Sequence, residues 1–341
     1  MKKIKTTDAV GQVLCHDVTK IVRGVTKDAA FRKGHIITES DIPVLLYLGK
    51  EHIFIWEDNE KILHENDAAK ILSDLCINKN MRATQPKEGK IDIIANRDGL
   101  LMVDTERLRK VNAIGGLMIA TRPSGTPVKK GDKLCGTRII PLTVEKAKMN
   151  RVRQIAGEPP ILELLPIKKK KYGLINTGSE LFYGRIKDTF TPVIQEKMSE
   201  YGCEMVASVT IEDDPEKIST AIKGMLASGA KLVLCTGGMS VDPDDRTPLA
   251  IKNTADKVIS YGAPVLPGAM FMLAYMSNGT PICGLPGCVM YTERTIFDIV
   301  LPRLLADVPV NAAWLASLGN GGLCIDCPVC HFPNCAFGKG V

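Results

Sequence analysis

The sequence predicts an α/β protein: a parallel-sheet, three-layer domain over residues 171–308, preceded by β-rich modules and followed by a cysteine-rich tail. Three observations predict it. Beyond Lys171, short apolar runs of strand type alternate with helical runs, the pattern of a parallel sheet covered on both faces. Four of its strand-like runs end in loops of glycine and small hydroxyl residues. Upstream, short strand-like runs separated by turn residues dominate instead.

Taken in order, residues 1–60 alternate apolar runs with turns and read as a small β-rich module with one helix. Ser40 or Asp41 opens that helix, Pro43 falls in its first turn, and Gly49 ends it before a strand from His52 to Trp56. Residues 61–142 read as a helix plus a β-rich domain. Ala68, Ile71, Leu72 and Leu75 share one face of a helix from about Asn66 to Cys76. Turn signals at PSG and KKGD then divide short strands. Residues 143–170, with Pro159, Pro160, Pro166 and the lysine run, read as a connecting segment. In the α/β domain, YGLINTG, CEMVASVTI and KLVLCTGG are strands, with helices from about Thr191 to Tyr201 and from Pro215 to about Ser228. A short helix, KVISYGAPVLPG, an apolar helix, PICGLPG and a helix ending near Leu305 complete it.

Bulk properties narrow the function. The chain has 341 residues, 45% of them hydrophobic, enough for two or three domains each with its own core. No apolar run approaches the roughly 20 residues that cross a bilayer, and the opening MKKIKTTDAVGQVLC has no apolar stretch behind its lysines. A cytoplasmic protein without membrane contact is therefore expected. A net charge of +6 suits an anionic small ligand. Nucleic acid is not expected, because aromatics make up only 5% and no basic stretch is interleaved with them.

In an open α/β sheet, ligands bind outside the carboxyl ends of the strands. The loops there are Asn176 to Leu181, Cys235 to Ser240, Leu266 to Met270 and Gly284 to Cys288. Glycine admits close backbone approach, and amides at a helix start favour negative charge, so a phosphate or similar oxyanion is expected. The two commonest nucleotide fingerprints, G-x-G-x-x-G and G-x-x-x-x-G-K-[ST], are missing.

The ordered set TGxEL, a following Asp, a D-D-P turn, TGGxS with acidic residues after it, PG, and GLPG resembles the domain shared by molybdopterin adenylyltransferases and molybdopterin molybdenumtransferases, both of molybdenum cofactor biosynthesis. The resemblance implies a fold of the molybdopterin-binding type and a molybdopterin ligand, adenylated in the transferases, into which molybdate is inserted. It implies that Thr177, Gly178, Ser179 and Glu180 sit by the pterin phosphate, that Gly237, Gly238 and Ser240 form the second wall, and that Gly284, Pro286, Gly287 and Cys288 complete the pocket. Asp188 and Asp245 match the acidic positions that would hold Mg2+ or another divalent cation for cleavage of the phosphoanhydride, with Asp242 and Asp244 as neighbours. From the residues alone, Asp188 and Asp245 serve equally well as helix caps. Asp213 and Asp214 before Pro215 read as a turn and cap.

Several positions depart from the family pattern: Asp242 and Pro243 after the TGGMS loop, Ala269 where the transferases carry lysine, and Cys288 where asparagine is usual. The S-A-M-D-G-Y segment of the transferases is absent from residues 1–170. Cys288 reads either as a reactive thiolate at a helix start or as a small buried side chain. Cys203, Cys235 and Cys283 read as core residues.

In the tail, residues 319–341, Cys324, Cys327, Cys330 and Cys335 follow C-x2-C-x2-C-x4-C. Such thiolates suit an iron–sulfur cluster or Zn2+, since a short segment without a core needs a staple. Two functions follow from these readings: a molybdopterin molybdenumtransferase-like enzyme, or a non-catalytic molybdopterin carrier or sensor docking on a molybdoenzyme or other redox partner through the tail. Homo-oligomers are common in the family.

Overall fold

The structure is a computed structural model, and it describes residues 2–22, 26–55, 60–240, 242 and 245–340. The chain folds as two compact units. The first comprises residues 1–94, 104–121 and 133–162; the second comprises 95–103, 122–132 and 163–341.

In the first unit, strand Lys2–Lys5 pairs antiparallel with His52–Ile55, and Val18–Val22 with Thr26–Phe31. Helix Asp41–Tyr47 lies between them in sequence, and Gly49 after it takes a positive φ of 74°. Ala9, Leu14, Ile37, Leu45 and Ile53 form a small core. Trp56, the expected end of the second strand, lies outside the described residues. A four-stranded sheet follows, in the order Met81–Ala83, Lys90–Ala95, Lys133–Ile139, Leu117–Thr121, the last three antiparallel to one another in turn. Helix Glu65–Asp74 buries Ala68, Ala69 and Leu72, as its apolar spacing predicts.

Two helices of this unit are absent from the sequence reading. Thr105–Asn112 stands inside the β-rich stretch, capped by Asp104, whose carboxylate accepts the Arg107 amide. Lys146–Ala156 stands inside the segment read as a connection, burying Met149, Val152 and Ala156. Prolines and lysines flanking the second helix obscured this three- and four-residue spacing.

The second unit is built on a six-stranded sheet. Its strands are β1 (Lys171–Thr177), β2 (Glu204–Ile211), β3 (Val233–Thr236), β4 (Lys257–Tyr261), β5 (Met272–Tyr275) and β6 (Pro281–Leu285), in the spatial order β2-β1-β3-β6-β5-β4. The first four in that order run parallel; β5 and β4 are antiparallel to their neighbours. The sheet is therefore mixed rather than wholly parallel, and the expected apolar helix at FMLAYM is strand β5. A run this short cannot be told from a helix by periodicity. The short link from β5 to β6 leaves no room for a crossover, so the two must pair antiparallel.

Strand periodicity separates the two faces. Leu174, Leu234, Leu273, Cys283 and Leu285 join one core with Ile194 and Met198 of helix α1 (Phe190–Ser199) and the buried face of helix α4 (Ile296–Leu305). Ile175, Val233, Cys235, Met272, Ala274 and Ile282 join the other with helices α2 (Pro215–Ala227) and α3 (Thr247–Thr254). Three layers result. Asp214 caps α2 by accepting from the Glu216 and Lys217 amides, with Pro215 at the helix start.

Thr295 and Asp298 form a reciprocal capping box at α4. Asp298 is also ion-paired with the buried Lys197 at 2.9 Å.

The tail packs on this unit. The Leu266 amide donates to Gly322, the Cys324 amide donates to Leu266, and Phe337 is buried in the α4-side core with Cys324 and Cys335 against it. The tail thus borrows a core instead of lacking one.

Candidate functional site

A cavity of about 820 Å³ opens at the carboxyl ends of β1, β2 and β3. Register places it there: Asn176 of β1 pairs with Thr210 of β2 and Thr236 of β3, so the residues that follow all three strands converge. Thr177, Gly178, Ser179 and Glu180 line one side, Gly237 and Gly238 another, and Asp188 and Asp245 also border it.

The glycines are there for space. A Cβ on Gly237 would lie 2.0 Å from the Thr177 carbonyl oxygen, and one on Gly238 would lie 2.7 Å from Asp213 Oδ1 and 2.9 Å from Thr247 Oγ1. Both have positive φ, 81° and 53°. Between them the Thr177 and Thr247 hydroxyls share a hydrogen bond of 2.9 Å. The floor is fixed by buried Asn176, which accepts from Thr236 Oγ1 at 2.7 Å and donates to Asp188 Oδ2 and Thr191 Oγ1.

The two carboxylates differ. Asp188 accepts the Phe190 and Thr191 amides at 2.9 and 3.0 Å, and also the Thr191 hydroxyl and the Asn176 amide group, so it caps α1. Asp245 accepts the Ser240 amide at 2.7 Å and closes the TGGMS loop. Asp242 also borders the cavity; Asp244 lies outside the described residues.

Asp213 was read from sequence only as part of a turn. It lines the cavity and accepts the Ser179 amide through Oδ2 at 3.2 Å, while its buried Oδ1 has no hydrogen-bond partner. Burial, with the nearby Glu180 and Asp245 charges, outweighs the lowering influence of the Thr177 hydroxyl and the Ser179 amide and lifts its carboxyl above the ordinary range. A D-D-P turn alone cannot reveal which aspartate caps and which turns inward. Lys187, Arg246 and Met290 are further lining residues that no motif announced.

Other expected residues lie elsewhere. Ser240 is exposed on the loop, and its carbonyl accepts from Tyr261. Gly284 makes room for a side chain: its Cβ would lie 2.5 Å from the Met239 methyl carbon. Pro286 is buried, Gly287 is exposed, and neither borders the cavity; nor does Cys288. Burial pushes the Cys288 thiol above its usual value, against the reading of an acidified thiolate. Cys235 and Cys283 are buried core residues, as expected, with burial pushing the Cys235 thiol to about 12.

The glycine and hydroxyl side of the cavity has the form of an anion cradle. Among the described residues, no three His, Cys, Asp or Glu side chains stand close enough together to hold a metal ion. Cys324, Cys327, Cys330 and Cys335 form no such group, and Asp188 and Asp245 have no third such side chain with them in one. The expected cation and cluster or zinc thus have no support in the geometry, and no chemical step is derived through them.

A three-layer α/β domain with a glycine and hydroxyl cradle at the carboxyl edge of its sheet defines the class: an open α/β fold whose strand-end loops have the form that receives anionic ligands. Comparison with known proteins gives the family. Residues 173–306 match the family described as a probable molybdopterin binding domain, and residues 3–57 match a domain of unknown function. A molybdopterin molybdenumtransferase of Synechococcus elongatus is 27% identical over 197 residues, covering 54% of this chain and 46% of the relative. A CinA-like protein of Prochlorococcus marinus is 34% identical over 87 residues, covering 26% of this chain and 20% of the relative. The chain thus spans less than half the length of these curated relatives. The tungsten cofactor synthesizing protein MoaB of Pyrococcus furiosus aligns over 40% of this chain and 89% of its own, with 23% identity and a TM-score of 0.32. The α/β domain is a member of the molybdopterin-binding family of molybdenum cofactor biosynthesis. No described helix is long and apolar enough to cross a membrane.

Proposed function

We propose that the protein binds molybdopterin in the carboxyl-edge cavity and acts as a molybdopterin molybdenumtransferase-like enzyme, inserting molybdate into the adenylated form. The observation that carries this reading is the convergence of Thr177, Gly178, Ser179, Glu180, Gly237 and Gly238 on one cavity, within a segment of the matching family. In this reading the Thr177 and Ser179 hydroxyls and the glycine-lined backbone receive the phosphate, since no Cβ holds it away.

The lining carries five carboxylates against Lys187 and Arg246, which would repel a phosphate if all were ionised. Two features offset this. Asp188 is engaged in four hydrogen bonds, and burial raises the Asp213 carboxyl above the ordinary carboxylate range. Below its raised pKa the Asp213 carboxyl group is protonated and can donate to a phosphate oxygen. Asp245 fixes the loop bearing Gly237 and Gly238 through the Ser240 amide. Asp188 sets the start of α1 and, through Asn176, the floor.

The test is release of AMP from adenylated molybdopterin by the full chain. Release that depends on molybdate supports the reading. Tight pterin binding with no release under any condition would restrict the protein to a carrier role.

A further inference from the structure

A second cavity, of about 920 Å³, lies within the same unit. Its lining includes Lys169, two residues before β1, and Gly202, two residues before β2, so it sits at the amino ends of these strands. The seven residues of β1 separate it from the first cavity by about 20 Å. It is large enough for a cofactor-sized ligand.

Five cations from four chain segments surround it: Arg97, Arg122 and Lys129, Lys169, and Arg294. Its three carboxylates are already engaged. Asp98 pairs with Lys129 at 3.1 Å, Asp132 with Arg122 at 2.9 Å and Glu200 with Arg294 at 3.0 Å. Arg97 and Lys169 have no ion pair among the described residues, which leaves two positive charges uncompensated. Gly202, with φ of 66°, gives the Lys169 stem room to cross it: a Cβ there would lie 3.2 Å from Lys169 Cε.

The wall between these charges is apolar, formed by Ile167, Val128, Pro127 and Phe332. The Arg294 guanidinium lies 5.5 Å from the centre of the Phe332 ring. It is anchored by ion pairs with Glu200 and Asp298, and its buried Nε has no hydrogen-bond partner. A fixed guanidinium against an aromatic ring is a flat shelf on which a planar ring can stack.

From this combination we infer that the amino-edge cavity is a second binding site, for a phosphorylated planar ring compound, with Arg97 and Lys169 taking the phosphate charge and the Arg294–Phe332 shelf taking the ring. The inference does not depend on what the carboxyl-edge cavity holds. Nothing in the family match assigns Arg97 or Arg122, which stand outside the matched residues. The ring can be that of a nucleotide or of another phosphorylated heterocycle, and the probes separate the two.

The experiment titrates the full chain by calorimetry with ADP, flavin mononucleotide and inorganic pyrophosphate. At least one ring compound is expected to bind at one equivalent, and at least tenfold more tightly than pyrophosphate. The double variant Arg97→Gln, Lys169→Gln, at two exposed positions whose replacement leaves the core intact, is expected to lose at least tenfold in affinity. Asp245→Ala, in the other cavity, is expected to bind the same probe unchanged. The inference is overturned if neither ring compound binds at millimolar concentration, if pyrophosphate binds as tightly as both, or if the double variant binds like the wild type. Loss of binding in Asp245→Ala, with the double variant unaffected, would assign the probe to the first cavity and equally overturn it.

Discussion

Replacing Gly237 with alanine isolates the steric requirement of the phosphate cradle. The new Cβ would stand 2.0 Å from the carbonyl oxygen of Thr177, a backbone atom in strand β1 that is held by neighbours on both sides. It would also be forced to a φ of 81°. The left-handed conformation alone costs an L-residue about 1–2 kcal/mol. Overpacking against a backbone that cannot swing aside adds about 1–3 kcal/mol. The expected destabilisation is therefore about 2–5 kcal/mol, measured as a shift of the urea transition. Gly229 supplies the control: its φ is 89°, but a Cβ there meets nothing within 4 Å. Gly229→Ala should lose only the conformational part, about 1–2 kcal/mol. Equal losses in the two variants would refute the claim that contact with Thr177, not backbone conformation, makes Gly237 necessary.

Other consequences follow from the same geometry. Lys197→Ala leaves buried Asp298 with Arg294 as its remaining cation, and should destabilise by about 3 kcal/mol, the lower end for breaking a buried pair; a loss below 1 kcal/mol in denaturant titration would contradict this. Asn176→Ala strips partners from Asp188, Thr191 and Thr236 and should cost about 1–3 kcal/mol; hydrogen exchange should show faster opening at the start of α1, and unchanged exchange there would count against it. Asp213 holds its proton more tightly folded than unfolded, so the folded protein binds more protons between the ordinary carboxylate value and the raised one. Stability from this group is present at low pH and falls as pH rises through that window. Asp213→Asn should flatten this segment of the stability curve, and an unchanged slope would remove the case for a raised Asp213 carboxyl.

The parts of the fold legible in the sequence were those with strong local signals. Helix α2 announced itself through Asp214 and Pro215, and β1, β2 and β3 through apolar runs closed by loops or turns. What failed was short or obscured. Strand β5 is four residues of uniform apolarity with no alternation to betray it. Helix Lys146–Ala156 shows only three buried positions, between charged residues. In the site, glycine motifs found the cradle, because positive φ and close approach demand that residue type. They did not separate Gly237, which clears a strand carbonyl, from Gly284, which clears the Met239 side chain. Both look alike in one dimension. Asp213 was missed because the direction of its side chain depends on Ser179, a contact 34 residues away. The packing of the tail on the α4-side core through Phe337 could not be foreseen either, because that contact joins segments distant in sequence.

The central claim is that the carboxyl-edge cavity holds molybdopterin, and the most direct measurement is a titration of the full chain with molybdopterin followed by pterin fluorescence. The wild type should bind at one equivalent. Ser179→Val and Asp213→Ala, both at the cavity, should each weaken binding at least tenfold, while Arg97→Gln, 20 Å away on the order of the length of β1, should not. Absence of binding by the folded wild type, or equal affinity in all four proteins, would contradict the account.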